Sequence, residues 1–93
     1  MMRQIIFNEQ LTFCFQLLGK KVRLIISEAD IALVCRKEII KNLKSFLLKD
    51  EVRIFKGRFQ LNKYKGIVEV IMKDNLIAII LASKLEQVIN DLN

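Results

Sequence analysis

The sequence predicts an α+β fold: a mostly antiparallel sheet of five to six strands with two helices packed on one face. Three observations carry that expectation. Apolar residues alternate over 11–17 and again over 22–26, the period of half-buried strands. They recur at helical spacing over 28–48 and 84–92. The order strand, turn, strand, Ser-x-x-acid, helix occurs twice, with Ser27 lying 56 positions before Ser83 (83 − 27). This reads as two β-hairpin-helix units, each with an extra leading strand, the pattern an internal duplication would leave.

The elements follow in order. Residues 3–7 form a short strand. Leu11, Phe13, Phe15 and Leu17 alternate with Thr12, Cys14 and Gln16, Gly19 and Lys20 turn the chain, and Val22, Leu24 and Ile26 continue the hairpin. Ser27 and Asp30 resemble a capping box, so a helix is expected from Glu28 to Leu48. On it Ala32, Cys35, Ile39, Ile40, Leu43, Phe46 and Leu47 share one face, Lys37, Lys41 and Lys44 another, and Arg36 lies inside the apolar arc. Residues 52–62 read as one strand. Its apolar positions are even before Gly57 and odd after it, which predicts a β-bulge near Phe55 to Gly57. Lys63 to Gly66 turn the chain, 67–72 is a strand, and Asp74-Asn75 is a tight turn. Residues 76–82 are wholly apolar, so this strand should be covered on both faces, as a central strand or in an interface. Ser83 and Glu86 make a second capping box, opening a helix over Lys84 to Leu92.

Ninety-three residues make one compact domain over 1–93. With 53% apolar residues, a core of this size leaves apolar surface over, and a homodimer or protein partner is expected to cover it. The longest run without a charge, 10–19, falls short of the roughly 20 residues a spanning helix needs. No signal-peptide pattern opens the chain, so no membrane association is expected and cytoplasm is the expected compartment.

The chemistry is sparse. There is no His, and two cysteines, Cys14 and Cys35, are too few for a zinc site, so they read as reduced thiols acting as small hydrophobes. Ser27 and Ser83 read as caps and Ser45 as a solvated helix residue. No phosphate-cradling glycine motif occurs. No catalytic residue, metal, cofactor or small-molecule substrate is expected, and the protein reads as no enzyme.

Net charge is +6, which makes the placement of the cations the central question. Arg53, Lys56, Arg58, Lys63 and Lys65 crowd one stretch without an acid, among Phe55, Phe59 and Tyr64. Cations beside rings are the equipment of single-strand binding, with Tyr64 as the stacking ring. Strand alternation offers a plainer account: Lys56, Arg58, Gln60 and Asn62 face solvent while Phe59 and Leu61 face the core. The segment also departs from the RNA-recognition signature at Arg58 and Gln60, where that signature wants aromatics. Lys37, Lys41 and Lys44 form a secondary basic face. The reading is a small non-enzymatic interaction module that self-associates and binds a protein partner. The alternative is nucleic-acid binding through the basic hairpin 53–66.

Overall fold

The computed structural model describes residues 2–92. The order is β1 (Met2–Ile6), β2 (Leu11–Leu18), β3 (Lys21–Glu28), β4 (Ile31–Ile39), α1 (Ile40–Leu48), β5 (Glu51–Ile54), β6 (Phe59–Tyr64), β7 (Ile67–Met72), β8 (Asn75–Leu81) and α2 (Ala82–Asp91). The strands form two separate four-stranded antiparallel meanders, β1-β2-β3-β4 and β5-β6-β7-β8. This corrects the expected single sheet of five to six strands with both helices on one face. Each half is four strands followed by a helix.

Two local misreadings caused the difference. Ala29 and Asp30 take left-handed backbone angles, φ +48° and +68°, and close a two-residue hairpin. Asp30 is therefore a turn residue, Ser27 lies within β3, and Ile31–Ile39 is a strand rather than the start of a helix. The apolar run Ile31 to Cys35 fits either period; the helical pattern belongs to Ile40, Leu43, Phe46 and Leu47. The second misreading is at 52–62. Phe55 and Gly57 have φ +72° and +85°, and the chain reverses there, bringing Ile54 opposite Leu61. The change of parity marks a hairpin, not a bulge. The register shifts fall between Ile26 and Ser27 and between Val70 and Ile71, which leaves Leu33 and Ile77 as the extra residues. The last hairpin turns at Lys73-Asp74, one residue before the expected place.

Neither serine caps a helix. The residues before α1 and α2 are Ile39 and Leu81, without a side-chain cap. Instead each helix start is tied to the turn of its own central hairpin: Ile40 N–H donates to Lys20 O at 3.0 Å and Ala82 N–H to Gly66 O at 2.9 Å. These bonds satisfy a donor that a helix start otherwise leaves open.

The two halves repeat each other at an offset of about 46 residues, not 56. Gln16 opposite Arg23 corresponds to Asn62 opposite Glu69. Ala29 N–H to Gln10 O, 3.0 Å, corresponds to Lys73 N–H to Arg58 O, 2.7 Å. The two bulges and the two left-handed hairpin turns also correspond. The helices touch each other, and each reaches the first strand of the other half, α1 on β5 and α2 on β1.

One core draws on both halves. Phe13, Phe15, Val22, Leu24 and Ile26 line the first sheet's inner face and Phe59, Leu61, Val68 and Val70 the second's. Leu43 and Phe46 of α1 and Leu85, Val88, Ile89 and Leu92 at α2 complete it. Phe13 stacks on Phe15 at 4.3 Å and meets Phe59 edge-on at 5.8 Å, joining the sheets. No described polar or charged residue is buried.

Two substitutions probe this construction by urea unfolding. Phe13→Ala should lower stability by about 3–5 kcal/mol through the cavity it leaves. Asp74→Gly should raise it by about 0.5–1 kcal/mol, because glycine adopts the left-handed angle without the side-chain penalty.

Candidate functional site

Each sheet turns its second face away from the core, and the registers fix what it carries. On the second sheet one row is Tyr64, Ile67 and Leu81, the next Arg53, Asn62, Glu69 and Ile79, and the third Gln60, Ile71 and Leu76. Leu76, Ile79 and Leu81 are 52%, 55% and 63% exposed. Within β8, Ile80 is buried in the core and Ala78 packs against it. The strand expected to be covered on both faces is thus covered on one within this chain. Charge on this face is sparse and mixed: Glu51, Arg53 and Glu69, the last accepting from Asn62 Nδ2 at 2.8 Å.

The cations of 53–66 do not form one strip. Arg53 stands on the outer face of β5 opposite Asn62. Lys56 and Arg58 sit in the β5–β6 connection and line a cleft with Arg36 along β4. The Arg36 guanidinium lies 4.8 Å over the Phe55 ring, and its Nη1 donates to Lys56 O at 3.4 Å. Lys63 turns toward α1: its Nζ donates to the backbone carbonyls of Leu47 and of Lys49, the latter at 2.7 Å. A cation there satisfies carbonyls the helix end leaves open and complements the helix dipole. Tyr64 is 42% exposed, with Lys65 Nζ 5.2 Å from its ring centre. Phe55 and Phe59 are buried and offer no ring to a base.

The secondary basic face is reorganised in the other direction. Lys37 belongs to β4, while Lys41 and Lys44 are on α1. On the outer face of the first sheet Lys37 stands directly opposite Arg23, in the row Met2, Gln16, Arg23, Lys37. The neighbouring row is Leu18, Lys21 and Ile39. Ile39 in turn lines a groove with Gly19, Lys20, Ile40, Lys41 and Lys44. Lys20, Lys21 and Arg23 therefore join the three predicted lysines. The alternation of Lys21 and Arg23 is visible in β3, but their cross-strand neighbours are hidden while 31–39 reads as helix. Arg23 Nη1 donates to Gln16 Oε1 at 3.4 Å, and its Nε is enclosed without a partner.

Cys14 and Cys35 flank Ile25 on that same face, in adjacent strands on either side of β3. Two strand spacings set them about 9.6 Å apart, beyond the roughly 7 Å limit for a bridge. Burial pushes the Cys14 thiol up, and Cys35 is exposed. Among the described residues no three or more His, Cys, Asp or Glu side chains group to hold a metal, and no helix is long and apolar enough to cross a membrane. No family model, curated protein or solved structure matches the chain.

Lys63→Gln should cost about 1–2 kcal/mol in urea unfolding, the loss of a charge-assisted cap, whereas Lys65→Gln should stay within about 0.5 kcal/mol. Iodoacetamide at mildly alkaline pH should label Cys35 well before Cys14, read by intact-mass spectrometry, because less of the Cys14 thiol is in the reactive thiolate form.

Proposed function

We propose that the protein is a non-enzymatic interaction module whose second sheet docks a protein surface, in the simplest case a second copy of itself. The observation that carries this reading is the outer face of β7 and β8. Leu76, Ile79 and Leu81 are more than half exposed, and Ile67 and Ile71 beside them are half-buried. A contiguous apolar face of this kind is the usual mark of a protein interface. β8 is also an edge strand, with one side of its backbone outside the sheet's ladder.

Charge favours a second copy. The face mixes Glu51 and Glu69 with Arg53, so it does not repel an identical face. Two-fold pairing of identical patches is the commonest way such a surface is closed. The outer face of the first sheet, with Lys21, Arg23 and Lys37, would repel its own copy.

The test is mass in solution. Sedimentation at micromolar concentration should give a species heavier than the 10.9 kDa chain. Ile79→Asp with Leu81→Asp should return it to the monomer, with the circular-dichroism spectrum unchanged because both side chains lie outside the core. A wild-type chain that sediments as a monomer at every concentration would remove the self-docking reading.

A further inference from the structure

We propose that the outer face of the first sheet, with the groove that continues from it, binds the phosphate backbone of nucleic acid. The surface is built from Lys20, Lys21, Arg23, Lys37, Lys41 and Lys44. It differs both from the basic hairpin 53–66 and from the apolar face of the second sheet.

The register makes the cations contiguous. Arg23 and Lys37 are direct cross-strand neighbours, and Lys21 lies two residues along β3 on the same face. Lys21 is opposite Ile39, and Ile39 lines the groove that holds Lys20, Lys41 and Lys44. Like charges directly opposite each other in a sheet are destabilising, so this pair has reason to persist where an external anion faces it. No carboxylate lies in the sheet rows that hold Lys21, Arg23 and Lys37, and the groove with Lys20, Lys41 and Lys44 is lined by none, although Glu86 of α2 shares a separate cleft with Lys44. The nearest in sequence, Glu38, accepts from the Ile39 N–H at 2.8 Å and from Asn42 Nδ2 at 2.9 Å, and it lines a different cleft with Arg53 and Ile54.

The shape selects the kind of anion. The cations run as a track across two strands and along a groove, rather than converging on one point. A track suits a polymer of phosphates better than a single small anion. No aromatic ring stands in these rows, so bases have no platform on which to stack. Recognition would rest on the backbone and tolerate sequence. Gln16 stands in the row of Arg23 and Lys37 as a further hydrogen-bonding group.

The experiment is fluorescence anisotropy with labelled single- and double-stranded oligonucleotides over a salt series. The wild-type chain should bind both, with a log–log salt slope of about −5 for duplex if all six cations engage. K21E/K37E/K41E, which changes three exposed side chains, should weaken binding by about 100-fold or more at low salt. K56E/R58E/K73E removes the same charge from the β5–β6 loop and its neighbouring turn, and should leave most of the affinity. Should the first triple fail to fold, K21Q and K41Q singly should each reduce the slope by about 1. Equal loss in the two triples would mean that bulk charge alone drives binding, and would overturn the assignment. So would loss confined to K56E/R58E/K73E, or absence of binding by the wild type at low salt. Equal or tighter wild-type binding to vesicles of anionic phospholipid, abolished by K21E/K37E/K41E, would reassign the surface to a membrane.

Discussion

Neither four-stranded meander can bury its inner face alone, and the packing of one against the other is the constraint on which the rest of the structure depends. Phe13 is central to it. It stacks on Phe15 within its own sheet and meets Phe59 of the other edge-on, with no accessible surface left. The helices close what the sheets leave open, each bound at its start to the turn of its own central hairpin and each reaching across to the first strand of the opposite half. Because the described core is free of polar groups, its stability rests on apolar burial and packing. Lysine and arginine are accordingly confined to rims and outer faces.

A repeated backbone carries two different surfaces. Arg23 corresponds to Glu69, Lys21 to Ile67 and Lys37 to Ile79, in matching positions of matching rows. The inner faces keep the same apolar character, since each must fill the common core. The outer faces are free of that demand. One has become basic and the other apolar with sparse, mixed charge, so one scaffold offers two chemistries facing away from each other. If the second sheets of two copies pair, the basic faces stay on the outside of the dimer, and the two proposed activities coexist without competing for surface.

Much of this was legible in the residues. The alternation of β2 and β3, the strand at 67–72 and the apolar face of α2 stand as read, whereas the repeating unit is four strands and a helix rather than a hairpin and a helix. What failed was punctuation. Asp30 serves equally as a capping acid or as the second residue of a left-handed turn, and nothing local separates the two when the flanking run, Ile31 to Cys35, suits either period. Phe55 at positive φ is a conformation bulky side chains rarely take, so the reversal at 55–58 passed as a continuous strand. The site inherited these errors. The helical reading of 28–48 sets Lys37 on a helix face, whereas β4 sets it beside Arg23. The role of Lys63 as a helix-end cap depends on α1 ending against β6, a tertiary fact without a sequence signal.

The paired contacts of α1 with β5 and of α2 with β1 give the molecule a cyclic character. Following the chain, the first helix leads directly into the strand it touches, β5, whereas the second helix touches β1, the first strand of the other half. The two contacts occupy corresponding places in the repeat. The order in which the halves occur along the polypeptide is therefore incidental to the core they build.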